Sequence, residues 1–110
     1  MPTIQVVEYL DASNHSPYAR WFDSLNALAA AKVATAIYRL SEGNFSNVKG
    51  VGGGVFELRI DFGPGYRVYF GKDGDLIVIL LGGSSKKDQQ RAIAAATKAW
   101  LAYRQAKRNR

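Results

Sequence analysis

Residues 55–81 read VFELRIDFGPGYRVYFGKDGDLIVILL and contain three runs rich in Val, Ile, Leu, Phe and Tyr. A Gly-Pro-Gly sequence at 63–65 and an Asp-Gly sequence at 73–74 separate these runs. Both sequences are typical of tight turns between antiparallel strands. The stretch therefore predicts a three-stranded antiparallel meander, and the other elements are expected to pack on it.

The arginines of this meander are predicted to share one face of the sheet. Side chains alternate between the two faces of a strand, and a hairpin centred on Pro64 pairs position 61 with 67 and position 59 with 69. Arg67 and Tyr69 then lie on the face of Arg59, which we expect to be solvated. The opposite, apolar face is predicted to bury Phe56, Leu58, Ile60 and Val68.

Two interpretations of this polar face follow from the residue types. Arg59 can pair with Glu57 or Asp61, and Arg67 can pair with Asp61, as ordinary cross-strand ion pairs. Alternatively, the two guanidiniums can hold a phosphate through paired N–H donors, with Tyr69 stacking on a base. The sequence leaves both interpretations open.

The segment before the meander predicts a strand over residues 3–9 that joins the sheet, followed by an αα-hairpin. Ser16 before Pro17 is typical of a helix N-terminus, and Asn26 can cap a second helix that ends near Gly43. Residues 44–54 are predicted to be a flexible, turn-rich connection. The apolar stripe of the second helix is predicted to contain Leu28, Val33, Ile37 and Leu40.

The third run of the meander is apolar on both faces, which predicts the middle strand of the sheet. Ser84 or Ser85 can cap a final helix, and Lys86 and Lys87 at its start oppose the helix dipole. Another role is therefore expected for these lysines. The apolar side of this final helix is predicted to contain Ile93, Ala96, Trp100 and either Ala102 or Tyr103. The fold class is thus α/β of the α+β type, a single domain over residues 1–110 ordered strand–helix–helix–three-stranded meander–helix.

The charge of the chain is concentrated in its second half. The first 55 residues carry four basic and four acidic side chains, whereas residues 56–110 carry 11 basic and 5 acidic ones and account for the net charge of +6. Such asymmetry favours a polyanionic partner or an acidic protein partner. The absence of cysteine and the single histidine argue against a disulfide framework and a metal site. We expect a cytoplasmic protein without a leader or a membrane span.

The motif ELRIDFGPGYRVYF at 57–70, followed by ILLGGSSKKDQQRAI at 79–93, resembles the RelE/ParE toxin superfamily. Within it, the chain is most similar to the HigB-like branch, whose members are labelled addiction module killer proteins. The resemblance covers most of the chain and includes the order of its elements. It implies a toxin that cleaves mRNA on the ribosome without a metal or other cofactor and thereby inhibits translation.

The resemblance also implies roles for individual residues. Arg59 and Arg67 match the two strand arginines and Lys86 matches the lysine after Gly-Gly, so these three are the predicted catalytic residues. Tyr69, Lys87 and Arg91 are predicted to bind RNA. Lys87 and Asp88 replace small polar residues, and one extra residue precedes Ile93, which changes the spacing. The general base is unassigned, although Tyr103 is available near the C-terminus.

The partners implied by the resemblance are a cognate antitoxin, often a helix-turn-helix protein encoded next door, and mRNA on the ribosome. Two other functions stay open on the same fold. ParE-like relatives poison DNA gyrase without being nucleases, and an inactive module would bind its antitoxin without turnover.

Overall fold

A five-stranded mixed sheet, with α-helices on both faces, organises residues 3–109, which the computed structural model describes. The strand order is β1-β5-β4-β3-β2; β1 is parallel to β5 and the other neighbours are antiparallel. The elements are β1 (Gln5–Glu8), α1 (Pro17–Asp23), α2 (Ala27–Ser41), β2 (Val48–Gly52), β3 (Val55–Ile60), β4 (Tyr66–Lys72), β5 (Ile77–Ser85), a 3-10 turn (Lys86–Asp88) and α3 (Gln89–Arg108).

The predicted starts of α1 and α2 are confirmed by their capping hydrogen bonds. The Ser16 side chain accepts a hydrogen bond from the Ala19 N–H at 3.0 Å, and the Asn26 side chain accepts one from the Ala29 N–H at 2.9 Å. Each bond satisfies a backbone donor that the first turn leaves free. Gly43 follows the end of α2 with φ 93°, the left-handed conformation that favours glycine after a helix.

The predicted meander is confirmed, but its first register differs from the prediction by two residues. Arg59 pairs with Arg67, and Glu57 pairs with Tyr69. Residues 61–65 form the turn, which is therefore centred on Gly63 and not on Pro64. A shift of two residues leaves every side chain on its predicted face, so the arginines still share one face.

The prediction of a flexible connection at 44–54 is wrong for five of its eleven residues. Residues 48–52 form β2, an edge strand that pairs antiparallel with β3 and shifts register between Gly50 and Gly52. Two glycines and one lysine among the five residues of β2 concealed it, because glycine is depleted in strands and weakens the sequence signal.

Two predictions about the end of the meander are corrected as well. The middle strand of the sheet is β4, while β5 lies between β1 and β4. Moreover, β5 continues through Gly82 and Gly83 to Ser85, and α3 begins only at Gln89. Ser84 therefore lies within the strand, and Ser85 takes the cap position of the 3-10 turn without a side-chain capping bond.

Each face of the sheet carries its own apolar cluster. Helices α1 and α2 cover the face that contains Leu58, Val68 and Phe70, and α3 covers the face that contains Tyr69 and Ile79. The predicted apolar residues of α3 pack as expected, with Ala96 and Trp100 buried and Ile93 and Tyr103 partly buried. Of the stripe predicted on α2, Val33 and Leu40 are buried and Ile37 is partly buried, but Leu28 is 59% exposed and Ala29 takes the inward position.

Within residues 3–109, no helix combines the length and the apolar content that a membrane crossing requires. Over the same range, no group of three or more His, Asp or Glu side chains lies close enough together to hold a metal ion.

Candidate functional site

The polar face of the meander was predicted to be solvated. In the structure it lies beneath the start of α3, and several of its side chains are buried. Glu57 is 1% exposed, Tyr69 is 0% exposed and Arg67 is 7% exposed. Ser84 of β5, opposite Arg67, is buried beside them. The sequence could not reveal this burial because alternation identifies the two faces of a strand but not what covers each face.

Hydrogen bonds tie this buried cluster to α3. The Gln89 side chain, in the first turn of α3, donates to Glu57 Oε2 at 2.7 Å, and the Tyr69 hydroxyl lies 3.0 Å from Ser84 Oγ. Burial raises the pKa of Tyr69, and the Ser84 hydrogen bond partly opposes that shift. A buried, neutral Tyr69 cannot stack on a base, so the predicted RNA-binding role of Tyr69 is not supported by its position.

Arg67 is the buried cation of this cluster. Among residues 3–109, no carboxylate oxygen lies within 4.0 Å of its guanidinium, and its buried Nε has no hydrogen-bond partner. Within the described residues, the cross-strand ion pairs expected for the alternative interpretation are therefore absent, since Arg59 pairs with neither Glu57 nor Asp61 and Arg67 does not pair with Asp61. Burying a cation without such compensation costs stability.

Lys86 lies beside Arg67 at the same end of the sheet. The Lys86 N–H donates to the Gly65 carbonyl at 2.9 Å, which continues the β4–β5 ladder beyond its last strand pair. Gly65 has φ 82°, and a Cβ added to it would lie 3.0 Å from Arg67 Nη1 and 3.7 Å from Lys86 Cβ. The tip of Arg67 and the base of Lys86 thus flank one glycine of the turn.

The remaining predicted RNA-binding residues lie farther along the chain from this turn. Lys87 is exposed in the 3-10 turn, and Arg91 is 87% exposed on the first turn of α3. The Arg91 guanidinium lies 3.8 Å from Asp88 Oδ1, a distance that contributes little at an exposed site. Tyr103 lies at the opposite end of the sheet, because its hydroxyl donates to Asp73 in the β4–β5 turn at 2.7 Å.

Arg59 is exposed and extends the basic surface towards α2. It lines a groove of about 340 Å³ between α2 and the end of β3, together with Lys32 and Arg39 of α2. Lys32 and Arg39 were not predicted as site residues. Their spacing of seven residues places them on one side of a helix, which was the signal available in the sequence. Asp61 is the acidic residue that lines the same groove.

The arrangement is suited to binding an anion. Arg59 and Arg67 are direct cross-strand partners, and Lys86 adjoins Arg67, so the three predicted catalytic residues lie at one end of the sheet. Guanidinium donors bind phosphate oxygens in a planar, bidentate geometry and remain charged at physiological pH. The buried guanidinium is also held in place by packing, so little reorganisation is needed when charge develops near it.

Comparison with known proteins agrees with a toxin-like assignment. Residues 20–101 match the family model described as phage derived protein Gp49-like (DUF891), a family associated with addiction-module killer proteins. The chain is also 47% identical over 77 residues to an uncharacterized protein of Haemophilus influenzae, covering 69% of this chain and 78% of that protein. The family match includes Arg59, Arg67 and Lys86. Such a toxin-like family implies an antitoxin partner.

Proposed function

This chain belongs to the Gp49-like family of phage-derived proteins, and we propose that it is the toxin of a type II toxin–antitoxin system. Its activity is metal-independent cleavage of mRNA on the ribosome, as in the HigB-like branch of the RelE/ParE superfamily. The single observation that carries the proposal is Arg67, a guanidinium 7% exposed with no carboxylate within 4.0 Å among the described residues. An RNA phosphate supplies the missing anion.

In the proposed reaction a ribose 2′-oxygen attacks the adjacent phosphorus. The O2′–P bond forms while the P–O5′ bond breaks, the 2′-hydroxyl gives its proton to a base, and the leaving 5′-oxygen receives a proton. Negative charge builds up on the non-bridging phosphate oxygens in the transition state. Arg67 and Arg59 donate hydrogen bonds to those oxygens, and the packed Arg67 guanidinium is preorganised to stabilise the transition state more than the ground state.

Lys86 has a different role in this proposal. Its side chain leaves the turn next to Arg67 and is exposed, so it can reach the leaving oxygen at the rim of the site. From there its ammonium group can donate a proton to the leaving oxygen as a general acid. The exposed basic residues around it, Lys87 and Arg91, hold the RNA backbone through long-range attraction.

The test is ribosome-dependent cleavage of a defined mRNA by purified variants. Arg67→Ala and Arg59→Ala should each reduce the cleavage rate on the order of a hundredfold, the usual effect of removing one transition-state donor. Arg67→Lys should recover only part of the loss because it keeps the charge without the planar fork. Arg20→Ala is the matched control, since Arg20 is an exposed arginine of α1 away from the cluster.

Lys86→Ala separates proton transfer from RNA binding. If Lys86 transfers a proton, kcat should fall while KM changes little; if it only holds phosphate, KM should rise first. Gyrase supercoiling is measured in parallel with the same preparations. Inhibition of supercoiling without mRNA cleavage would replace the ribonuclease proposal with a gyrase poison, and normal cleavage by both arginine variants would refute the assigned site.

A further inference from the structure

Within residues 3–109, the sheet has no strand alongside the last residues of β5. Strand β1 pairs with β5 only from Ile77 to Leu80, and its last contact is the Tyr9 N–H donating to the Leu80 carbonyl at 2.9 Å. Strand β5 continues to Ser85, paired on its other side with β4. In the described part of the chain, no strand pairs with residues 82–85 on the β1 side of β5, over a length of about 13 Å at the usual strand rise.

The backbone groups on this open edge can be identified from the ladder. Because the Lys86 N–H bonds to the Gly65 carbonyl, the positions that bond to β4 are 82, 84 and 86. Antiparallel pairs alternate between bonded and non-bonded, so the N–H and C=O groups of Gly83 and Ser85 point away from β4. No protein group within residues 3–109 hydrogen-bonds to them, and both residues are partly exposed.

The open edge forms the floor of a groove between α1 and α3. The groove has a volume of about 430 Å³ and straddles the sheet edge, because its lining comes from helices on both faces. Trp21 and Leu25 form the wall on the α1 side, and Ala92 and Ala95 form the wall on the α3 side. Trp21 packs on the α1 face of the sheet directly over Gly83, since a Cβ added to Gly83 would be 2.2 Å from its Cε3 atom.

From this geometry we infer that the groove binds an extended segment of an acidic partner polypeptide, which adds a strand beside residues 82–85 of β5. Bare strand backbone offers alternating donors and acceptors that another extended backbone satisfies. Alternate side chains of the segment contact Trp21 and Leu25 on one side and the small alanines on the other. Taking the partner to be the antitoxin rests on the proposed function.

Charge selects this occupant over a second copy of the chain. The protein carries a net charge of +6, so two copies repel each other, whereas an acidic polypeptide is attracted. Arg91 on the groove wall is 87% exposed and lies 3.8 Å from Asp88, which lines the same groove; because such an exposed pair is weak, Arg91 can also contact an acidic side chain of the segment. Binding here would also place the partner next to Lys86, one residue beyond the open edge.

The first experiment measures binding of the polypeptide encoded next to this gene by calorimetry. Ala95→Arg places a long cationic side chain inside the groove, whereas Ala94→Arg adds the same side chain at a neighbouring exposed position that does not line it. We expect Ala95→Arg to weaken binding at least about tenfold, the effect of losing one or two backbone hydrogen bonds and their contacts. Ala94→Arg should bind like the unmodified chain.

A second pair of variants tests the backbone directly. Ser85 has φ −82°, which suits proline, and its N–H points to the open edge, so Ser85→Pro removes one edge donor without breaking the ladder. Ser85→Ala keeps that donor. Hydrogen exchange provides the third readout: the Gly83 and Ser85 amides should exchange quickly in the free chain and become protected in the complex, while the Gly82 and Ser84 amides are protected in both.

Each outcome decides the question. Equal affinities of Ala95→Arg and Ala94→Arg, without new protection of the Gly83 and Ser85 amides, would overturn the docking site and leave the mRNA cleavage assay unaffected. Protection of these amides that depends on the concentration of the chain alone would assign the groove to a second copy and overturn the inference. Failure of the neighbouring product to bind the unmodified chain would overturn its assignment as the partner, whatever the cleavage assay shows.

Discussion

Replacing Arg67 with methionine should stabilise the fold while it removes activity. The Arg67 guanidinium is buried without a carboxylate partner in the described part of the chain, and its Nε lacks an acceptor. A buried, unsatisfied polar group costs about 1–3 kcal/mol. Glu57 does not depend on Arg67 for its contacts, because Gln89 donates a hydrogen bond to it and Lys49 lies 4.0 Å from it.

The expected net result for Arg67→Met is a free energy of unfolding about 1 kcal/mol higher, because methionine fills the space with a flexible apolar chain. For a domain of this size the melting temperature should rise by about 4 °C. Urea denaturation and thermal unfolding measure the stability, and ribosome-dependent mRNA cleavage measures the activity, which should fall on the order of a hundredfold.

Arg59→Met is the matched control for this experiment. Arg59 is exposed, so its replacement should change stability by less than about 0.5 kcal/mol while also reducing cleavage. Destabilisation of Arg67→Met by 1 kcal/mol or more would mean that the guanidinium has a structural partner, and the argument for an anion site at Arg67 would then fail.

Two further predictions concern packing and pH. Gly71→Ala should destabilise the protein by about 1–3 kcal/mol, because the new Cβ would lie 2.4 Å from Trp100 Cε3. Urea denaturation measures the change. Gly82→Ala is the control and should cost far less stability, because a Cβ added there meets nothing within 4 Å. Burial raises the pKa of Tyr18 from 10.0 to about 12, so its contribution to stability is fully present below pH 10 and is lost as the pH rises through 12. Tyr18→Phe should remove the last step of the tyrosine absorbance titration and reduce the loss of stability in that range, and an unchanged last step would contradict the assignment.

Local patterns in the sequence were sufficient for several features of the site. The two arginines were placed on one face because strand side chains alternate with a period of two, and the actual shift of two residues preserves that parity. The starts of α1 and α2 were likewise predicted, because Ser16 and Asn26 satisfy free N–H groups within three residues of themselves. Interactions of such short range are encoded by neighbouring residues alone.

Features that depend on distant segments were missed or mistaken. Strand β2 has little strand propensity of its own and exists because β3 offers it an edge. Leu28 was placed inward by the helical period, but the orientation of α2 on the sheet gives that position to Ala29. In each case the deciding contact lies outside the window that a periodic pattern can describe.

The sequence by itself therefore determined the meander, the shared face of Arg59 and Arg67, and the basic character of the second half of the chain. The tertiary structure decided that α3 covers this face. Tyr69 is therefore buried and inaccessible to a base, and Arg67 is buried without a carboxylate partner in residues 3–109. It also decided that β1 stops at Glu8 while β5 continues to Ser85, which leaves part of the edge bare. The physical reason is that burial and strand neighbours depend on which segments meet in space, whereas alternation and charge are properties of the chain itself.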